Sequence, residues 1–478
     1  MNKFKKLISF VLASVCIVSA GACTNKAEET GGDGETVSLV WYYPGTAQAD
    51  QDMVFEKVNE ILKEKLNITV EPKVIDSGSY QEKMNMVIAS NEDYDLCFTS
   101  NWTNKYLPNV LKKAYLPLNQ LIDDNAPGLR EALPDYVWDI SRYGDDIYAV
   151  PCNQMIFYQP TLCVPTELYN KYKDLLQNIQ KPEDLVPYLE AIKNNEPGYY
   201  PYRPVSAATW YDFEAIYGAE VSVMKNGDTT VFNPYTTEEY KNYIMLMSDW
   251  FKKGYIRKDV ASITSDTDDI KNMKYAIWDT QYKPGLEYIN VKGEKMDVTY
   301  LPMDTPTLSN GAGTQAMIAI NAGSKHPVEA IKLIELLNTD KELYNLICYG
   351  IEGTHYEKTG ENTIRVLEGS KYSPKTDWEF GNQFNAYITE GKELNVWEET
   401  AKMNEEATPS KLFGFVFNPE PVKTEVANVS SVVTEYAYLE KGTENAEESY
   451  DTFLKKLESS GINKIIEEAQ AQIDAWKQ

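Results

Sequence analysis

From residue 37 the chain switches between two hydrophobic periods. Val37, Leu39, Trp41 and Tyr43 recur at every second position, the period of a strand, and the run stops at Pro44-Gly45. From about Asp50 the spacing changes, and Val54, Val58, Ile61, Leu62 and Leu66 fall on one helical face. Ile68, Val70 and Val74 predict a second strand; Tyr80, Met84, Val87 and Ile88 a second helix; Leu96 to Thr99 a third strand. This βαβαβ order predicts a parallel sheet with helices on its faces. Ligands of such sheets lie beyond the carboxyl ends of the strands. Two stretches qualify, Trp41-Tyr42-Tyr43-Pro44 and Thr99-Ser100-Asn101-Trp102. Trp41 shares a face with Leu39 and reads as core, so Tyr43 and Trp102 are the candidates.

Helical periods dominate the rest. Thr236-Thr237-Glu238-Glu239 is a capping box ahead of Tyr240, Ile244, Met247 and Phe251. His326-Pro327 breaks the chain, and Val328, Ile331, Leu333, Ile334 and Leu337 then form one stripe. Asn338-Thr339-Asp340 punctuates it, and a second helix with Leu343, Leu346 and Ile347 stops at Gly350. Three more amphipathic helices follow: one from about Glu420, with Val422, Val426, Val429, Val433 and Tyr436, then residues 449–457 and 462–476. Such a length predicts at least two lobes.

The ends and the charge narrow the class. Residues 1–22 form a targeting segment, with Lys3, Lys5 and Lys6 before an apolar run too short to span a bilayer. Ala20-Gly21-Ala22-Cys23 resembles a bacterial lipobox, with Ala20 where Leu is usual. Cys23 would then be lipidated and become the mature N-terminus; ordinary cleavage after Ala22 is the alternative. Residues 23–36 are polar and Gly-containing, a flexible tether. Two acyl chains suffice for stable anchoring at the outer face of a bacterial membrane. The formal net charge of −26 disfavours nucleic acid or anionic lipid as partner. Only five Arg are present, which favours a neutral ligand over phosphates and carboxylates. Cys97, Cys152, Cys163 and Cys348 contain no C-x-x-C pair; they allow three disulfide pairings or four buried thiols.

Motifs for chemistry are sparse. Gly311-Ala312-Gly313-Thr314-Gln315-Ala316 fits a dinucleotide fingerprint only formally, because a strand-like run follows it rather than a helix. It reads as a hinge. Asp266-Thr267-Asp268-Asp269 lacks the Gly and terminal Glu of a Ca²⁺ loop. His326 and His355, the only histidines, stand in no zinc pattern. There is no G-x-S-x-G and no Walker A. Neither metal nor cofactor is expected. A carboxylate pair for glycoside hydrolysis stays open, since sequence gives no separation between acids.

Four stretches carry a family resemblance: Tyr143-Gly144-Asp145-Asp146-Ile147-Tyr148-Ala149-Val150-Pro151, residues 325–356, Trp378-Glu379-Phe380-Gly381-Asn382-Gln383-Phe384, and residues 413–439. They resemble the family 1 extracellular solute-binding proteins of ABC importers, and within them the LipO/LplA-like lipoproteins with an extra C-terminal region. The resemblance implies an α/β, two-lobed periplasmic-binding-protein-like fold with parallel-sheet lobes, an interlobe cleft and hinge, and a helical C-terminal region. Lobe 1 would comprise 37–151 and 316–375, and lobe 2 would comprise 152–315 and 376–478. Residues 325–356 would be scaffold on the first lobe. Asn153 and Gln154 would lie at the first crossing. Trp278, Asp279, Gln281 and Tyr282 end an element that reaches the cleft in that family. Trp210, Trp378 and Gln383 are further candidates, with domain packing the alternative for Trp378.

Sugars present apolar C–H faces and many hydroxyls, so a neutral-sugar site combines flat rings with Asn, Gln and Asp. The 9 Trp and 34 Tyr suit that chemistry. The resemblance thus implies a monomeric, non-enzymatic lipoprotein that captures a carbohydrate, an oligosaccharide in particular, by hinge closure and passes it to permease subunits. A peptide or amino-acid-derivative binder on the same fold is the alternative, and a surface-anchored glycan hydrolase is a third reading.

Overall fold

The computed structural model describes residues 35–477 apart from 264, 265, 289, 291 and 293. The leader, Cys23 and the tether expected around it lie outside these residues. The first sheet has the order Ile68–Ile75, Val37–Pro44, Leu96–Thr99, Met317–Ile320, Val150–Pro151. Its first three strands are parallel, as the βαβαβ pattern predicts, with Val37 opposite Ile68 and Trp41 opposite Leu96. Met317–Ile320 runs antiparallel to both its neighbours. It re-enters this sheet after the chain's excursion through the second lobe, so it starts from the edge where the parallel strands end.

The helices Gln51–Leu66, Pro327–Thr339 and Lys341–Tyr349 close this lobe. Leu39, Trp41, Val54, Leu62, Ile331, Leu337 and Leu343 share one core. Residues 325–356 are therefore scaffold. Asp340 caps the second of these helices, accepting from the Glu342 and Leu343 amides at 3.0 Å.

The second lobe corrects the expectation of a second parallel sheet. Pro160–Pro165 is flanked by Trp278–Gln281 and Val298–Pro302, both antiparallel to it. Helix Glu238–Lys253 starts one residue later than the predicted box allows: Thr237 is the cap, its Oγ1 accepting from the Tyr240 amide at 3.2 Å, so Tyr240 and not Glu239 stands at the third helical position, and the helix ends at Gly254. The C-terminal helices Lys423–Tyr436, Ala446–Ser459 and Ile462–Trp476 add Val429, Phe453 and Ile465 to this lobe's core. No described helix is long and apolar enough to cross a membrane.

Phe380 and Ala386 are buried in the first core, with Trp378 and Trp397 packed against it. The chain reaches the second core only at Leu412, after helix Val396–Glu406. Gly381 explains why residue 376 is no exit. With φ at +49°, its Cα lies so close to the Leu337 carbonyl that a Cβ would come within 2.2 Å of the oxygen, so only glycine lets this loop sit down on the first lobe.

Candidate functional site

The connections between lobes run side by side. The Cys152 amide donates to Ala316 O at 2.9 Å. The Asn153 amide donates to Gly381 O at 2.8 Å, and the Gln383 amide returns a bond to Asn153 O at 2.8 Å. Ile140, Ile156, Phe157, Leu308, Ala312 and Ala407 form a small core of their own at these crossings. Three side-chain acceptors here, Asn153 Oδ1, Asn310 Oδ1 and Gln315 Oε1, are buried with no hydrogen-bond partner in the protein. An acceptor left so costs about 1–3 kcal/mol, and polar groups are left unpaired mainly where a ligand or water completes them.

Aromatic faces stand open on both sides of the crossings. Trp102 follows the third parallel strand and is 47% exposed. Its Nε1 donates to Gln315 O at 2.9 Å, which fixes the ring beside the second crossing. Trp378 lies 6.2 Å from it, the planes at 40°, and rests edge-on against Phe98. On the second lobe Tyr158 is 39% and Tyr217 54% exposed. Tyr158 exchanges backbone bonds with Thr307. Tyr217 lies directly over Gly311, where a Cβ would collide with the ring at 2.2 Å. Behind it, Glu214 Oε1 accepts from the Asn310 amide at 2.9 Å and Ser410 Oγ at 2.8 Å, and burial raises the Glu214 carboxyl above its usual range.

Between the lobes lies a cavity of about 590 Å³. Asn85, Asn101 and Lys105 line it from the first lobe, and Tyr217, Asn310 and Phe417 from the second. Asn101 holds its floor, with its amide on Thr314 O at 2.9 Å and Nδ2 on Gly311 O at 3.3 Å.

The residues nominated from sequence divide. Trp102 and Trp378 come together as a ring pair. Asn153 sits at the first crossing as expected, with the open acceptor described above. Gln154 sits beside it, its carbonyl accepting from Asn404 Nδ2 at 2.8 Å. Asp279 is half-buried on an ion pair with Arg203 at 2.6 Å, and Arg203 also holds Asp266 at 2.6 Å. Burial raises the Asp279 carboxyl, with Arg203 opposing the shift. Gln281 is turned inward, Nε2 on Phe157 O at 2.8 Å. Tyr282 rests 5.6 Å from Tyr300, and Gln383 Nε2 is used on Asp377 Oδ2 at 3.0 Å.

Three nominations are corrected by burial. Trp278 is wholly buried between Tyr275, Tyr288 and Cys163. Trp210 is in the second core, its Nε1 3.4 Å from Tyr202 Oη. Tyr43 is enclosed by Trp41 and Phe380. No face of these rings is free to stack on a sugar. Conversely, the sequence reading did not nominate Tyr158, Tyr217 or Asn310, and it named Asn101 only as part of the stretch ending at Trp102. Tyr158, just after the first crossing, and Tyr217, beside Gly218 in a turn, carry a usable signal: an aromatic where the chain reverses or changes lobe.

Among the described residues no group of three or more His, Cys, Asp or Glu could hold a metal. Among the described residues Cys97, Cys152, Cys163 and Cys348 are free and buried.

Comparison with known proteins matches this geometry. A chain from Streptococcus pneumoniae serotype 4 (strain ATCC BAA-334 / TIGR4), a carbohydrate ABC transporter substrate-binding protein, is 28% identical across 100% of this chain and 99% of its own. The crystal structure of the N-glycan transport solute binding protein NgtS from Streptococcus pneumoniae superposes with a TM-score of 0.80 at 27% identity, covering 92% of this chain and 98% of that one. NgtS in complex with Man5GlcNAc gives 0.70 at 26% identity over the same shares. Residues 411–478 match a domain of unknown function, DUF3502. Residues 43–343 match the model of the bacterial extracellular solute-binding proteins, and the chain belongs to that family.

Proposed function

We propose that this protein captures an oligosaccharide outside the cell, closes its two lobes on it and delivers it to the permease of an ABC importer. The observation that carries the reading is the cleft itself: exposed Trp102, Tyr158 and Tyr217 stand around crossings beside a cavity that Asn85, Asn101 and Asn310 line with amide donors and acceptors. Flat rings take the C–H faces of a sugar, and the acceptors take its hydroxyls. The full-length likeness to a carbohydrate ABC transporter substrate-binding protein supports the same ligand class. Closure is supported by the NgtS series. With the same share of this chain covered, the TM-score is 0.80 against NgtS, 0.73 against its Man1GlcNAc complex and 0.70 against its Man5GlcNAc complex. This chain thus superposes less well on the two glycan complexes than on the first NgtS structure, the direction expected if the lobes close on a glycan.

Lobe 1 then comprises residues 37–151 and 316 to about 406, and lobe 2 the remainder. Trp102, Trp378, Tyr158 and Tyr217 are the stacking residues, and the cavity-lining Asn85, Asn101 and Asn310 the hydroxyl partners. Asp279 and Asp266 are both tied to Arg203, an arrangement suited to binding rather than to an acid and a nucleophile acting separately. Anchoring through Cys23 and a monomeric state complete the reading.

A thermal-shift panel tests it. Mannose- and glucosamine-containing oligosaccharides, at concentrations far above Kd, are expected to raise the melting temperature by the linkage of binding to folding. Stabilisation by peptides and by no saccharide would overturn the sugar assignment.

A further inference from the structure

Beside the cleft lies a second cavity, of about 620 Å³. Residues 139–144 of the first lobe form one wall. The segment 413–418 and the last helix, Ile462–Trp476, form the other. Each cavity has the volume of a site for a small ligand. The two are neighbours, with Phe415 and Val416 in the lining of both.

The second cavity has the chemistry of a sugar site. Tyr143 and Trp476, one on each wall, are 37% and 44% exposed. Tyr436, Tyr450 and Phe453 of the other C-terminal helices are all buried in the second core. Trp476 packs edge-to-face with Phe415, their ring centroids 5.6 Å apart. Large open rings on facing walls mark a contact surface rather than leftover packing. Asp139, Arg142 and Glu468 supply charged hydrogen-bonding groups at the rim. The Asn418 backbone and the Gln472 amide are tied together by two reciprocal bonds of 2.8 Å, which holds the inner wall rigid. The walls belong to opposite lobes.

We propose that the groove between Tyr143 and Trp476 is a second carbohydrate subsite, which receives an arm of a branched or extended oligosaccharide whose other end occupies the cleft. The C-terminal region, residues 411–478, thereby acquires a role: it is one wall of the groove. This inference rests on the oligosaccharide reading given above and adds to it the size of the ligand.

The test is titration calorimetry with Man1GlcNAc and Man5GlcNAc as probes, on wild type, Tyr143→Ala and Trp476→Ala. Both side chains are exposed and stand on separate walls, so each variant should melt near the wild-type temperature. Each should bind Man1GlcNAc within twofold of wild type and Man5GlcNAc about tenfold more weakly, the scale of losing one aromatic anchor. Equal effects on the two glycans, or no effect of either variant on Man5GlcNAc, overturns the subsite while leaving the cleft reading intact. A wild-type protein that binds neither glycan contradicts the oligosaccharide reading itself, and the subsite with it.

Discussion

Trp102→Ala is the sharpest probe of the cleft. An indole offers about 250 Å² of surface, and 47% of Trp102 is open to solvent. About 100 Å² of ring therefore remains for a ligand to cover. At about 25 cal/mol per Å² this sets a ceiling of about 2.5 kcal/mol. A sugar covers one face, and only its C–H groups are apolar, so about 1.5 kcal/mol, or roughly tenfold in Kd, is expected to be lost. The fold should tolerate the change. The Nε1 bond to Gln315 O is lost, but that carbonyl lies beside an exposed side chain and water can replace the indole, so the stability cost is about 1 kcal/mol or less. Calorimetry with an oligosaccharide ligand reads the first quantity and thermal melting the second. Trp102→Phe should restore most of the affinity, because it keeps a flat apolar face without the N–H. Binding of Trp102→Ala within twofold of wild type would refute the stacking argument.

Other positions make independent claims. Burial, with the nearby Asp377 charge adding to it, pushes the Glu379 carboxyl up to about 9, so it stays protonated in the folded protein at neutral pH. The unfolded chain ionises it above about 4.3 and binds fewer protons than the native state, so stability falls with pH by about 1.4 kcal/mol per unit until the folded group also ionises. Glu379→Gln should therefore melt higher than wild type at pH 8, with the gap closing near pH 4.5; a gap independent of pH would contradict this. Gly381→Ala should lose about 3 kcal/mol in a denaturant titration, since it adds a left-handed backbone penalty to a clash with Leu337 O. Thr237→Ala removes the cap of helix Glu238–Lys253 and should cost about 1 kcal/mol in the same assay, with ligand affinity unchanged.

The first lobe was legible because its strands and helices follow one another and each announces its period. Leu96–Thr99 and Pro327–Thr339 fall where the pattern places them. The second sheet was not legible, because its central strand, Pro160–Pro165, pairs with strands more than a hundred residues further on, and no local period reports that pairing or its direction. The site divides in the same way. Trp102 could be found because a loop beyond a parallel strand points at the cleft whatever else the fold does. Trp278 was misjudged because an aromatic beside Asp279 and Gln281 looks like a ligand contact, whereas Ala276 and Ile277, both buried with it, show a segment already entering the core. Tyr217 depends on a contact with Gly311, 94 residues later in sequence, which only the folded chain brings together.

The central claim is closure of two lobes on an oligosaccharide, and small-angle X-ray scattering measures it directly. On saturation with Man5GlcNAc the radius of gyration should fall and the scattering curve should shift from an open to a closed two-lobed shape, while a peptide mixture of equal concentration leaves it unchanged. An unchanged curve with the glycan demonstrably bound would contradict the account, as would closure on peptides and not on saccharides.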